Sequence, residues 1–469
     1  MEFADLAGGI NIIPHIYLSV LPFAASKLSL MKHYLQCYPR TLRVRRLEEA
    51  LPVPETRKKA RILSAELSPN GTCIAAVFSI FEYPRVKSGV VCIFDTATGQ
   101  LRWQKATKRV YSISFSSNES YVASGGHSLQ VWNVKTGEEE RRWRFEPDDV
   151  KNHIPVFPFA NKNYISALAF APDSMHIVVG YEKGLVLTWS LESGEPTAIL
   201  KRPCQDKCPC KLRKRDEDNP CHVKSVAYSG NGQQIIAASV GHPLLIWPPL
   251  SQTVTSAFND YYPSSFIIRD DQLVVRLHRA DSSYTVQLVN VSTGEYRTLD
   301  GIRGDEDILA LSPNGRFLAS VNRFTSHDRG IRIWHISLPS KCKMIDSLIG
   351  HTGVVQSVAF FADGDHIMSA SEENTIRIWD ITSLLSQQRR EGMDCWSCSK
   401  SVLVLEHAVV YDHGHINPLF YPLYPFRHPR NTLIIGECVD IDFTNFVHGE
   451  DWVKCREPLA LENEADEES

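Results

Sequence analysis

The chain has 469 residues, 43% apolar and 22% charged, which excludes a disordered or collagen-like polymer and leaves ample material for a core. The formal net charge is −4, yet Leu461–Ser469 alone carries five acids (Glu462, Glu464, Asp466, Glu467, Glu468), so the body stands near +1 (−4 minus −5). Such a body lacks the broad basic face of a nucleic-acid binder. Twelve cysteines are too few for a disulfide scaffold at this length.

At the N-terminus, Glu2 and Asp5 stand where a secretory signal would be basic, and Asn11, Pro14 and His15 break the apolar stretch. No apolar run reaches the length of a membrane span. A reducing, cytoplasmic setting is expected, with Asn70, Asn118 and Asn290 unglycosylated. Within Leu21–Cys37, Leu28, Met31, Tyr34 and Leu35 recur at helical spacing before Tyr38-Pro39, so residues 1–40 read as a connector with one helix.

From Leu67 onward one turn signature recurs: Leu67-Ser-Pro-Asn-Gly71, Phe115-Ser-Ser-Asn-Glu119, Phe170-Ala-Pro-Asp-Ser174, Tyr228-Ser-Gly-Asn-Gly232, Leu311-Ser-Pro-Asn-Gly315 and Phe360-Phe-Ala-Asp-Gly364. The intervals are 48, 55, 58, 83 and 49 residues, and the longest holds a degenerate copy, Phe266-Ile-Ile268, a polar turn at 269–272, and Leu273-Val-Val275. Each turn is followed by a short β-rich run ending in an aromatic and a polar residue at Phe94-Asp95, Trp132-Asn133, Trp189-Ser190, Trp247-Pro248, Trp334-His335 and Trp379-Asp380. Thr98-Gly99, Thr136-Gly137, Ser193-Gly194 and Thr293-Gly294 then supply hairpin turns. Seven four-stranded units result. None can bury both faces alone, but stacked around an axis they can, which makes an all-β propeller.

These residues resemble the WD-repeat (WD40) family. Its best copy here runs from Gly350-His351 through Ser369-Ala-Ser371 to Trp379-Asp380. The resemblance implies a structural hydrogen-bond network of His351, Ser371 and Trp379, with Glu373 at the place of the family's turn aspartate. It also implies peptide or protein docking on the face where the first strands of the units begin. Tyr111, Ser166, Lys224, Asp307 and Gln356 align at those starts, and Arg109, Tyr164, His222 and Val354 lie two residues earlier. Arg109, Tyr111, Tyr164, Lys224 and Gln356 are the candidate partner contacts, since tyrosine and arginine dominate interface energies; packing against a neighbouring blade is the plainer role for each.

The ring must also be closed. Thr41–Arg45 is the available N-terminal strand, and Ser401–Leu405, Ala408–Tyr411, Pro418–Tyr421 and Thr432–Gly436 are strand-like runs without the repeat turn. An irregular closing set is therefore expected, leaving seven or eight blades open. The domain reading is 41–460 for the propeller, with insertions at 201–221 and 384–400, and an acidic disordered tail at 461–469. At the two ends, Leu21–Ala24, His33–Leu35, Tyr38-Pro39, Thr41-Leu42 and then Leu419-Phe420, Pro422, Pro429, Thr432–Gly436, Phe446–Gly449 and Trp452 resemble the segments flanking the WD region of fungal NACHT-type NLR proteins. No G-x-x-x-x-G-K-[ST] loop is present, so the resemblance implies a sensing half without a nucleotide-driven motor.

Three groups are candidates for other chemistry. Cys204, Cys208, Cys210 and Cys221, in a stretch with little core of its own, would be ordered by a structural zinc; a flexible cysteine-rich loop is the alternative. Cys395-Trp-Ser-Cys398 lacks the setting of a redox pair, and Asp412-His413-Gly-His415 lacks a further placed histidine. His127 reads as a turn residue. No nucleophile elbow or paired-carboxylate constellation is present, so the sequence favours a non-catalytic interaction scaffold over a metal-dependent or enzymatic propeller. A protein or peptide partner is expected, and no nucleic acid, membrane or nucleotide.

Overall fold

The recurring serine and asparagine of the turn signature close its hairpins. The Asn70 side chain accepts the Thr72 N–H at 2.9 Å, and the Ser68 hydroxyl accepts the Cys73 N–H at 3.0 Å. Ser116, Ser229 and Ser312 accept the equivalent N–H of Tyr121, Gln234 and Phe317, each at 2.9 Å. Such side-chain bonds satisfy turn amides that the ladder cannot reach.

The computed structural model describes residues 43–47, 60–143, 164–200, 222–387, 409–418 and 431–442, apart from breaks at 83–84, 183, 240–241, 249–254, 258–260, 280–283, 303–307, 322–329, 338–341, 413–414 and 436–437. Seven antiparallel four-stranded sheets form. Blade 1 is Ala60–Leu67, Cys73–Glu82, Arg85–Asp95 and Leu101–Thr107. Blade 2 is Val110–Phe115, Tyr121–Gly126, Leu129–Asn133 and Glu139–Trp143. Blade 3 is Ile165–Phe170, His176–Tyr181, Val186–Ser190 and Pro196–Leu200. Blade 4 is Val223–Tyr228, Ile235–Ser239, Leu244–Trp247 and Thr255–Ala257. Blade 5, the degenerate copy, is Tyr261–Arg269, Gln272–Arg279, Tyr284–Asn290 and Tyr296–Thr298. Blade 6 is Ile308–Leu311, Phe317–Val321, Ile331–His335 and Lys343–Leu348.

Blade 7 takes Val355–Phe360, His366–Ser371 and Ile376–Asp380 from contiguous chain, and its fourth strand, Asn431–Ile435, from far downstream. This corrects the expected closure. Arg43–Leu47 joins no blade; it pairs with Cys438–Asp442 in a separate two-stranded sheet. Blade 1 already has four strands of its own, so an N-terminal strand has no place left in it. No eighth four-stranded sheet occurs among the described residues. The propeller unit comprises Glu49–Asp394 and Pro429–Gly436, and the Arg43–Leu47 pair and the hairpin Val409–Asp412/His415–Pro418 fall in a second unit. The helix read at 21–37, the cysteines at 204–221 and 395–398, Asp307 and the 461–469 tail lie outside the described residues.

Burial follows strand position. The second strands of blades 3 and 7 are buried at all but the first residue, whereas the fourth strand of blade 2 is exposed at all but the last. Middle strands are covered on both faces because blades stack face to face, and seven apolar clusters fill the seven interfaces. Each interface includes the residue at one equivalent third-strand position: Phe94, Trp132, Trp189, Trp247, Val289, Trp334 or Trp379. Truncating such an aromatic costs about 3–5 kcal/mol.

The last interface, between blades 7 and 1, is tied at three levels. The Asn374 carboxamide accepts the Ile62 N–H at 3.1 Å and donates to the Ala60 carbonyl at 2.8 Å, as a neighbouring strand's peptide group would. Asn374 holds φ +67°, a left-handed conformation that asparagine tolerates. The Ser357 hydroxyl accepts the Ala65 N–H at 2.9 Å. At the turn end, Phe361 lies against Gly71, where a Cβ would stand 2.9 Å from the ring. Gly71 has φ +77° and Gly294 φ +74°, but a Cβ at Gly294 would meet nothing within 4 Å. Both Gly→Ala changes carry the left-handed penalty of about 1–2 kcal/mol. Chemical denaturation should show Gly71→Ala less stable than Gly294→Ala by a further 1 kcal/mol or so, the added cost of crowding Phe361.

Candidate interaction face and the blade 7 network

The best repeat carries a buried chain of hydrogen bonds. The Trp379 indole N–H donates to the Ser369 hydroxyl at 2.8 Å, and that hydroxyl lies 2.7 Å from His351 Nε2. His351 Nδ1 is 2.7 Å from Glu373 Oε1, and the carboxylate also accepts from Thr352 N and Oγ1, Gly353 N and Thr375 Oγ1. With Nδ1–H donating to Glu373, Nε2 is left to accept from serine, so the chain fits a neutral imidazole. Gly350 is required beside it, because a Cβ would stand 2.6 Å from Arg377 Nη1. Glu373 therefore fills the aspartate position.

The serine is Ser369, not Ser371. Both lie on one face of their strand, but Trp379 pairs with Ile367, and its indole N–H reaches the residue two positions on. The same offset holds elsewhere: Trp132 pairs with Val122 and bonds Ser124 at 3.0 Å, and Trp334 pairs with Leu318 and bonds Ser320 at 2.8 Å. Ser371 stands one rung farther along, 3.4 Å from the Glu373 N–H. In blade 4 Trp247 pairs with Ile235, and the residue at this offset is Ala237. Trp247 Nε1 has no hydrogen-bond partner among the described residues. In blade 3 the position at this offset is Val179, which offers the Trp189 N–H no hydroxyl.

The starts of the first strands and the links between second and third strands meet at one end of the blades, here the upper face. His127 N bonds the Arg109 carbonyl at 3.0 Å, Glu182 N the Tyr164 carbonyl at 2.9 Å, and Glu372 N the Val354 carbonyl at 2.9 Å. The structure brings three of the five candidate contacts together between blades 2 and 3. Arg109 Nη1 donates to the Tyr164 hydroxyl at 2.9 Å, with the guanidinium carbon 5.5 Å from that ring's centroid. Tyr111 meets Tyr164 edge-on at 5.9 Å, and the His127 ring lies 6.2 Å from Tyr164. Burial first, and then the Glu182 charge, raise the Tyr111 hydroxyl above its ordinary value, so it stays a donor.

The other two candidates stand apart. Lys224 is exposed on blade 4 beside His222, whose imidazole is pushed down to about 4 by burial and then by the Lys224 charge. Gln356 donates to Glu372 at 2.6 Å, and Arg61 lies 3.7 Å from the other oxygen of that carboxylate. Arg61, Glu182 and Glu372 were not singled out from the sequence, and His127 was read there only as a turn residue. Arg61 stands six residues before Leu67, as Arg109 does before Phe115, and the other three stand twelve after Phe115, Phe170 and Phe360, so the repeat register could have found them. Among the described residues no group of three His, Cys, Asp or Glu side chains could hold a metal ion.

Ser369→Ala strips a partner from both the Trp379 N–H and His351 Nε2, and should cost about 2–3 kcal/mol in equilibrium unfolding. Ala237→Ser supplies the hydroxyl that Trp247 lacks and should raise stability by about 1 kcal/mol. Burial lowers the His351 imidazole from its ordinary value of 6.5, against the opposing pull of Glu373. Burial alone would raise Glu373, but His351, Arg377 and Thr352 outweigh it and hold the carboxyl well below its ordinary 4.5. Both groups bind protons more weakly folded than unfolded, so their stabilisation is present above pH 6.5 and is lost on acidification, His351 first and Glu373 below 4.5. Glu66, pushed up to about 8 by burial despite bonds from Phe115 N and Ser114, acts with the opposite sign. The pair's share is therefore read by difference: unfolding midpoints of His351→Asn should fall less steeply than those of wild type between pH 7 and pH 5.

Three stretches, 99–133, 296–335 and 342–380, match the WD domain, G-beta repeat family. They end just past Trp132, Trp334 and Trp379, the three tryptophans whose N–H is held by serine. The chain is 23% identical over 253 residues to a guanine nucleotide-binding protein subunit beta of Oryza sativa subsp. japonica, covering 50% of this chain and 60% of the relative. It is 25% identical over 284 residues to striatin of Rattus norvegicus (56% and 33%), and 22% identical over 366 residues to Denticleless protein homolog B of Xenopus laevis (67% and 48%). The matched stretches thus span between a third and three fifths of these relatives' lengths. Among solved structures, Kuenenia stuttgartiensis hydrazine synthase aligns with a TM-score of 0.51 at 12% identity, over 71% of this chain and 98% of that one, a likeness of fold alone. No helix among the described residues is long and apolar enough to cross a membrane. The chain is an all-β, seven-bladed propeller that carries WD40 repeats at 99–133, 296–335 and 342–380.

Proposed function

We propose that the propeller is a non-catalytic protein-interaction platform whose upper face captures a protein or peptide. The observation that carries this reading is the Arg109–Tyr111–Tyr164 cluster, an arginine and two tyrosines half-buried at the start of adjacent blades. Rigid aromatics and a braced arginine are the residue types on which binding energy concentrates. The sequence relatives, a G-protein beta subunit and striatin among them, support an interaction role rather than catalysis. Nucleic acid, nucleotide and membrane are not partners in this reading. On the sequence of the two ends alone, the chain serves in the cytoplasm as the recognition half of an NLR-like protein.

A quantitative affinity capture tests this. Partners retained by wild type and by Lys135→Glu, on the hairpin at the opposite end, should fall at least fivefold with Arg109→Ala/Tyr164→Ala. Equal recovery from all three proteins, or turnover of a substrate by the purified chain, would overturn it.

A further inference from the structure

Resting on that reading, we propose that the junction of blades 2 and 3 is a binding site for an acidic peptide, with Arg109 and Lys108 taking a carboxylate while Tyr111 and Tyr164 hold an adjacent large apolar side chain. Arg109 is set in advance. Its guanidinium donates to the Tyr164 hydroxyl and lies over that ring, and its carbonyl is fixed by the His127 N–H. A braced guanidinium gives up little rotamer freedom on binding, and its planar fork matches a carboxylate. The Tyr164 hydroxyl accepts from Arg109, so its own proton remains to be donated, and the Tyr111 hydroxyl is a second donor beside it.

The charges around the upper face are uneven. Arg61, Glu372 and Gln356 satisfy one another at the junction of blades 7 and 1. Among the described residues at the upper face of blades 2 to 4, Lys108 and Lys224 are exposed and Arg109 half-exposed, beside the carboxylate of Glu182. This balance among the described residues, three cations to one anion, favours a short acidic segment and disfavours a basic one. Those cations fall far short of the run of phosphate contacts a nucleic acid would need. The edge-to-face tyrosines add flat apolar area beside the cations.

The test uses the full chain and a fluorescein-labelled peptide pool patterned acid–apolar–acid, with a twin pool carrying Asn and Gln for the acids. In fluorescence anisotropy at low salt, the acidic pool should bind at least tenfold more tightly than its twin. Lys108→Glu, an exposed change that disturbs no packing, and Arg109→Met should each weaken it at least fivefold. Equal binding of the two pools, or Lys108→Glu indistinguishable from wild type, would overturn the proposal. An unbiased peptide selection separates the two readings. Peptides lost on Tyr164→Ala but indifferent to Lys108→Glu would overturn acid recognition and leave the platform standing, whereas selected peptides insensitive to every upper-face variant would remove both. Selected peptides rich in Asp and Glu and lost on Lys108→Glu would support the proposal.

Discussion

A ring of sheets has no loose end: every blade must present one face to the blade before it and the other to the blade after. Six of the seven interfaces form between neighbours in sequence, and the seventh joins Ala60–Leu67 to Val355–Phe360 across nearly three hundred residues. That long-range contact is what makes the others a disc rather than an open stack. It is an apolar core of Ile62, Phe78, Phe94, Met368, Ile376 and Ile378, fastened by Asn374 and Ser357. Loop-closure entropy opposes it, so a well-filled core at this one place stabilises the whole ring.

Much of this was legible in the chain. The turns, the third-strand aromatics and even the degenerate copy at Phe266–Val275 follow from local chemistry repeated at a period, and local chemistry is what a sequence displays. Two features were not legible for the opposite reason. Ser369 and Ser371 are chemically identical and share a face, and only the pairing of Trp379 with Ile367 selects between them. Likewise Asn431–Ile435 has the alternation of a strand but no turn to tie it to blade 7, because its partner Ile376–Trp379 lies some fifty residues upstream. Register and long-range pairing are tertiary quantities. The upper-face cluster was half visible: Arg109, Tyr111 and Tyr164 stood at aligned positions, but their mutual contact depends on how far blade 3 is rotated from blade 2.

The repeats have diverged in a patterned way. Where serine keeps its hydroxyl under the tryptophan, the family signature is still recognisable; where alanine or valine has replaced it, in blades 4 and 3, it has faded. In the first-strand turns of blades 2 and 3, Glu119 and Ser174 occupy left-handed positions that glycine holds in blades 1, 4, 6 and 7. Each uses its side chain to accept a backbone N–H of the preceding blade, at Asn70 and Asn118. Strain at one residue is thereby offset by a contact between blades. The same two blades carry the aromatic cluster above.

The fourth strand of blade 7 bears on how the protein is made. A ribosome delivers the chain N-terminal end first, and six blades have all their strands once Leu348 has emerged. Blade 7 does not: the Ile376–Asp380 strand has an unpaired outer edge until Ile435 is synthesised. During that interval the nascent chain presents an open sheet edge, the kind of surface to which other strands add. Synthesis of Asn431–Ile435 is therefore the step that seals the disc, and a message truncated before residue 431 would yield a protein with every turn signature present and one edge permanently exposed.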